Sequence, residues 1–450
     1  MTATPPPIRK VIKRDGNVVA YRRERIATAI FKAAASIGGT DRARAEALAE
    51  QVEARLGEAY GGERGMPTVE DIQDVVESVL MAFGHLRTAR AYIIYRHERA
   101  RARGARASTV EATDNVPYRT IYEVLRWNMD HGCASIEDLN AIVAEGRFPE
   151  LVEAGEQRYE DEVRAAADRI LERLPQVRIA IVAGPSSSGK TTTTIKVRER
   201  LREAGADLVA LNVDHYFFDL EQHPKDEFGD YDYETPHALD LALINRHLVE
   251  LLEGRAIRTP HYDFKTGRRA LEVHPLALRP DQVLLIDSLH GLYEGMTARI
   301  PESSKFRCYV ETLSQVRNAE GVFLRWADQR LIRRMIRDRW HRNHQPMQTL
   351  THWHYVRASE LKHIIPFIGT VDALVNTALA HELPLLKPRV FPIFPEAMAR
   401  FRDDPKRQDA YLRARRVFEL LDPLTAVEDD ACVPPRSLLR EFIGGSAYTY

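Results

Sequence analysis

The sequence predicts an α/β chain: a parallel sheet with helices on both faces, preceded by a small, mostly helical unit that opens with a β-hairpin. Three observations lead there. First, the apolar run 177–183 (Val-Arg-Ile-Ala-Ile-Val-Ala) ends at Gly184-Pro185-Ser186-Ser187-Ser188-Gly189-Lys190-Thr191. This is G-x-x-x-x-G-K-[ST], the phosphate-binding loop, and the charged amphipathic stretch 192–203 supplies the helix it needs. Second, further strand-like runs follow at 207–212, 283–287, 308–312 and 371–376, with helical stretches among them, as in a doubly wound sheet. Third, an Arg14-Asp15-Gly16-Asn17 turn joins two short strand candidates, 8–13 and 18–21, and only helical spacings follow up to residue 102.

Taken in order, residues 8–102 form the first unit. Residues 25–37 place Ile26, Ile30 and Ala34 on one helical face, and 41–56 read as a second helix. Thr68-Val69-Glu70-Asp71 is a capping-box pattern for a helix ending near Phe83 and Gly84. Residues 88–101 complete the unit. Residues 103–158 read as a linker and a helical spacer: a basic, Gly-broken run, a polar run, then helices, one of them opened by Ser135 with Asp138 three residues on. Residues 159–390 carry the sheet, with 258–269 read as a turn-rich basic segment, and 391–450 read as a helical extension.

Composition excludes several classes. The 450 residues carry a formal net charge of −1, so the chain has no overall electrostatic footprint for nucleic acid or anionic membrane. No apolar run reaches the ~18 residues of a membrane span. The N-terminus lacks the apolar core of a signal peptide. Cys133, Cys308 and Cys432 are far apart and make no C-x-x-C; they read as packing residues in a reducing, cytoplasmic setting.

The chemistry concentrates at strand ends. Gly184 and Gly189 let the loop turn its N–H groups onto phosphate oxygens. Pro185, Ser186, Ser187, Ser188 and Thr192 complete the expected ATP contacts. Lys190 is expected on the β/γ-phosphates and the Thr191 hydroxyl on Mg²⁺. Asp287 closes an apolar strand, the Walker B arrangement that puts a carboxylate near the metal. Asp214 ends the second strand; it reads either as the base that takes a proton from an attacking hydroxyl or as a turn cap. Tyr216 beside it is a candidate acceptor contact. Arg330, Arg333, Arg334 and Arg337 recur at 3–4-residue spacing between Asp328 and Asp338. They suit either closure over triphosphate charge or an exposed, ion-paired face.

Two resemblances refine this. Val11-Ile12-Lys13-Arg14-Asp15-Gly16, Tyr21-Arg22, Arg25-Ile26 and Ala91-Tyr92-Ile93-Ile94-Tyr95-Arg96 resemble the ATP-cone, a nucleotide-sensing module of ribonucleotide reductases. The resemblance implies that Lys13 and Arg14, with Lys32 behind them, hold the phosphates of an effector, ATP or dATP. Tyr92 and Tyr95 are expected in its core. ATP-cone proteins often oligomerise, so a homo-oligomer is expected.

The second resemblance runs from about residue 159 to 388. The phosphate loop, Asp214-His215-Tyr216, the segment 230–240 from Asp230-Tyr231-Asp232 onward, Pro260-His261-Tyr262-Asp263-Phe264, Asp287, the helix 328–338 and Asn376-Thr377 are similar to the uridine kinase and phosphoribulokinase family. The ending 437–446 resembles the tail of a longer, uridine-kinase-like bacterial subgroup. The family implies ATP-dependent phosphorylation of a hydroxyl on a small molecule, often a nucleoside, with Asp214 as base. It implies Asp232 and Tyr262 on the acceptor, and Arg330 and Arg333 on a lid. Standard uridine kinases carry a base-reading His where this chain has Lys265-Thr266-Gly267-Arg268. Lys265, Arg268 and Arg269 therefore open the alternative of a carboxylated or phosphorylated acceptor. A further alternative is a nucleotide-responsive regulator without turnover.

Overall fold

Five apolar runs become five parallel strands: β3 (Ile179–Ala183), β4 (Asp207–Asn212), β7 (Gln282–Ser288), β8 (Lys305–Glu311) and β9 (Ala373–Asn376). Their order is β4-β7-β3-β8-β9, so β3 sits centrally and the chain turns first to one side of it and then to the other. That reversal is the switch point at which open α/β sheets take ligands. All five residues of β3 are buried, which is why the run is continuously apolar rather than alternating.

The computed structural model describes residues 8–13, 18–60, 66–94, 115–225, 234–264, 266–341, 345–404 and 407–449. Contacts divide the chain into two units, Met1–Ala112 with Pro395–Arg416, and Thr113–Phe394 with Val417–Tyr450. The extension expected at 391–450 is therefore shared: its last stretch belongs to the sheet-bearing unit.

The first unit holds the hairpin β1 (Lys10–Ile12) and β2 (Val18–Ala20), then α1 (Arg23–Ala35), α2 (Arg42–Tyr60) and α3 (Val69–Ala82), with a further helix at 86–94. Ile26 and Ile30 are buried as the spacing predicts, with Ala33 rather than Ala34 completing the face. The Thr68–Asp71 capping box forms. Gly84 follows α3 at φ 76°, a value that favours glycine. Tyr92 lies in the core; Arg14 and Tyr95 lie outside the described residues.

In the second unit, α4 (Tyr118–Asp130), α5 (Ile136–Ala144) and α6 (Phe148–Leu171) lead into β3. The Ser135–Asp138 capping box is present at the start of α5. After β3 come α7 (Lys190–Glu203) and, beyond β4, α8 (Leu241–Leu252). The basic segment expected as turns at 258–269 is instead part of an antiparallel ribbon, β5 (Ile257–Asp263) with β6 (Arg268–Leu276). Pro260 and the mostly exposed β6 remove the apolar alternation that marks a strand. α9 (Trp326–His341), α10 (Pro346–His363) and α11 (Glu382–Val390) flank β8 and β9 in sequence.

Cys133 and Cys308 are buried free thiols, and burial pushes each up to about 12. They pack, as expected, and offer no thiolate near neutral pH. Among the described residues no helix is long and apolar enough to cross a membrane.

Candidate active site

The loop between β3 and α7 has geometry that only its glycines allow. A Cβ on Gly184 would lie 2.2 Å from the Val310 carbonyl oxygen of β8. Gly189 caps α7 at φ 87°, and Ser187 has φ 60°. Left-handed residues on either side of Ser188 give the concave backbone that binds anions at a helix N-terminus. The Ser187 and Ser188 hydroxyls are buried and take no hydrogen bond within the structure. A polyphosphate fits this cradle, because its oxygens would satisfy groups that burial otherwise leaves unpaired.

Lys190 is half-buried and its Nζ donates to the Pro185 carbonyl at 3.1 Å. Burial lowers its proton affinity, and Asp287 and Asp214 act in the opposite sense. Thr191 is exposed at the start of α7, open to a metal. Thr192 departs from expectation. It is fully buried, and its Oγ1 donates to Glu441 Oε2 at 2.6 Å, with its N–H on the same oxygen at 3.3 Å. Its hydroxyl serves the fold of the loop rather than the nucleotide.

The two strand-end carboxylates meet at this loop. Asp287 pairs in register with Asn212 of β4 and Val182 of β3. Burial pushes its carboxyl up to about 6; Lys190 opposes the rise, while Asp214 and Glu441 add to it. Asp214 is exposed on the 3₁₀ turn that follows β4, where Asn212 Oδ1 accepts its backbone N–H at 2.9 Å. Asp214 thus has its backbone fixed and its side chain on the solvent side of the crevice.

Asp287 carries a pH prediction. A divalent cation needs the carboxylate form, so Mg²⁺-nucleotide affinity should fall roughly tenfold per pH unit once pH drops below about 6. It should level off above that value. Nucleotide protonation is common to all variants, so the test is the difference between wild type and Asp287→Asn, followed by calorimetry. Identical pH profiles for the two would defeat the assignment.

The arginines of α9 divide into two pairs, and one pair departs from both expectations. Arg330 and Arg333 are fully buried. Arg330 contacts Glu311 Oε1 at 2.9 Å and both Glu360 oxygens, and donates to the Ser186 carbonyl at 3.2 Å. Arg333 pairs with Glu382 and the Thr377 carbonyl. Neither is a mobile lid residue; both anchor α9 beneath the loop. Arg334 reaches Ser186 Oγ at 3.1 Å, and Arg337 is half-buried and close enough to Lys190 to disfavour its charge. Those two face the nucleotide cradle.

On the acceptor side Tyr216 is also corrected. It is buried in the main core and its hydroxyl bonds His247 Nδ1 at 2.9 Å, so it cannot reach a substrate. Tyr262 is buried among rings: Phe217 at 5.6 Å and Phe264 at 5.0 Å between centroids. Arg268 is paired with Glu221 at 2.8 Å and Asp219 at 3.7 Å, and Arg269 with Asp240 at 3.0 Å. The positive charge expected here is locally matched. Asp232 and Lys265 lie outside the described residues. In the first unit, Lys13 and Lys32 are both exposed.

Sequence reasoning missed the closing segment of the chain. Leu438 lies against Gly189, where a Cβ would meet its Cδ1 at 2.5 Å. Glu441 holds Thr192, Ser437 Oγ donates to Glu156 Oε1 at 2.5 Å, and Phe442 lies 5.0 Å from the Arg333 guanidinium. Sequence separation hid this; the resemblance of 437–446 to a family tail marked the segment without placing it at the loop.

A central phosphate loop, a carboxylate at the end of each neighbouring strand on one side, and the strand order define a P-loop phosphotransferase fold. The comparisons agree. Residues 179–382 match the phosphoribulokinase/uridine kinase family and residues 9–101 match the ATP cone domain. The sheet-bearing part of the chain thus carries a phosphoribulokinase/uridine kinase family domain, with an ATP cone domain ahead of it in the sequence. A uridine kinase of Deinococcus deserti is 29% identical over 195 residues, 43% of this chain and 84% of that protein. One from Chloroflexus aurantiacus is 32% identical over 158 residues, 35% of this chain and 66% of that protein. A solved structure described as a possible uridine kinase from Bacillus stearothermophilus is 15% identical at TM-score 0.34, covering 48% of this chain and 98% of that one.

Proposed function

We propose that the chain transfers the terminal phosphoryl group of ATP to a hydroxyl of a small molecule, with a nucleoside as the first acceptor class. The observation that carries this reading is the convergence of Lys190, Asp214 and Asp287, which influence one another's charge at the carboxyl ends of β3, β4 and β7. A phosphate holder, a base and a metal carboxylate then share one crevice. Lys190 and the loop N–H groups orient the nucleotide. Asp214 accepts the proton of the attacking hydroxyl. Thr191 and Asp287 hold Mg²⁺, which when bound neutralises charge on the phosphates. Arg334 and Arg337 lie beside the loop, each also paired with Asp338.

A neutral acceptor is favoured over an anionic one, because Arg268 and Arg269 already answer to Asp219, Glu221 and Asp240. Incubation with ATP, Mg²⁺ and a panel of nucleosides, sugar phosphates and hydroxy acids tests this. Acceptor-dependent ADP release with nucleosides is expected. Turnover with sugar phosphates alone would replace the acceptor class, and no acceptor-dependent turnover would defeat the kinase reading.

The ATP cone supports a second, regulatory nucleotide site at Lys13, Arg14 and Lys32. Lys13→Ala with Arg14→Ala should abolish any response of the activity to dATP without changing basal kcat. A dATP response that survives both changes would remove these residues from the effector site.

A further inference from the structure

Three imidazoles meet where the β5–β6 ribbon passes the turn after β4. His215 follows Asp214 on that turn, His261 lies on β5 and His274 on β6. Their ring centroids are 4.7 Å apart for His215–His261, 5.9 Å for His215–His274 and 5.4 Å for His261–His274. One ring nitrogen from each lies within 4.8 Å of those of the other two. Local structure brings this about. β5 and β6 slip register between Thr259 and His261. The slip reverses which side of β5 is exposed, so that Thr259 is buried while His261 is turned out like His274.

We propose that His215, His261 and His274 form a binding site for a divalent transition-metal ion, Zn²⁺ by donor type, with a fourth position open to solvent. Nothing in the phosphate-transfer site requires these rings. Zn–N bonds of about 2.0–2.1 Å in a tetrahedron place neighbouring ligand nitrogens about 3.3 Å apart. His261 Nδ1 and His274 Nε2 are already 3.4 Å apart. The third nitrogen closes on them by rotation of a half-buried side chain. An all-nitrogen donor set selects zinc and its transition-metal neighbours over Mg²⁺ or Ca²⁺, which prefer oxygen. Three ligands with an open fourth position is the pattern of zinc sites that exchange a ligand.

Burial first, and then the neighbouring His261 and His274, hold His215 below its usual proton affinity. His215 Nδ1 accepts the Tyr262 N–H at 3.3 Å. Metal binding breaks this bond or turns the ring, exchanging one long hydrogen bond for a coordinate bond.

The test uses the untagged full chain, stripped with a chelator and titrated with Co²⁺ without nucleotide or Mg²⁺. One equivalent should bind, with the visible absorption of a four-coordinate Co²⁺ site, and Zn²⁺ should displace it. His261→Ala with His274→Ala should weaken binding by at least about 100-fold and abolish the band. Both residues are exposed, so the variant should keep the wild-type melting temperature. His131→Ala is the control; His131 is exposed, stacks on Trp127 and lies on another element. Its binding should match wild type. No saturable binding by the wild type, or equal binding by the double variant, would overturn the proposal.

Discussion

Asp214→Asn is expected to lower kcat by about 10²- to 10⁴-fold while ATP affinity stays close to that of the wild type. The substitution keeps the shape of the side chain and removes its capacity to take a proton. Asn212 still caps the turn through the backbone of residue 214, so the local fold should hold. Nucleotide binding depends on the loop and Lys190. Single-turnover kinetics with separately measured ATP affinity gives the readout. An unchanged kcat would show that another group takes the proton, and a lost ATP affinity would make Asp214 a binding residue.

The largest stability effect is expected at Arg330. Burial alone would push the Glu360 carboxyl up, but Arg330 and Arg357 hold it below its ordinary value. Arg330→Ala would leave Glu311 and Glu360 buried with much of their compensation gone. Breaking such a pair from one side typically destabilises by about 3–5 kcal/mol. Arg357 also pairs with Glu360, which places the expected loss toward the low end of that range. The same substitution removes the Arg330 hydrogen bond to the Ser186 carbonyl, so ATP affinity should fall as well. Denaturant midpoints at constant slope measure the first effect and calorimetry the second. Arg337→Ala should separate the two, weakening ATP binding with a smaller loss of stability. A midpoint for Arg330→Ala equal to wild type would mean that the buried pairs contribute nothing.

These two residues also mark the reach of sequence reasoning. The positions of Asp214, Asp287 and the loop were legible because each belongs to a local pattern: an apolar strand that ends in a polar group at a predictable edge of the sheet. The five strands and both capping boxes were legible for the same reason. Arg330 was not. A 3–4-residue spacing says that arginines share a helical stripe, yet not whether that stripe meets a nucleotide or the carboxylates of Glu311 and Glu360. Tyr216 failed in a similar way. It stands at a strand end, where function concentrates, but its partner His247 lies 31 residues on. The β5–β6 ribbon was read as turns because proline, histidine and arginine stand where an apolar face would announce a strand. Its register slip, which gathers the histidines, has no counterpart in local sequence.

The bond from Thr192 to Glu441 spans 249 residues, and it bears on how the protein is made. Translation delivers the phosphate loop early and its brace late. A nascent chain can build β3, β4 and β7 while Leu438 and Glu441 are still inside the ribosome. Until they emerge, Thr192 lacks its acceptor and Gly189 its apolar cover. The loop would then be shaped after most of the sheet has formed around it. The finished loop therefore waits for residues 437–441, and a chain interrupted before residue 437 would hold the sequence of the loop without its brace.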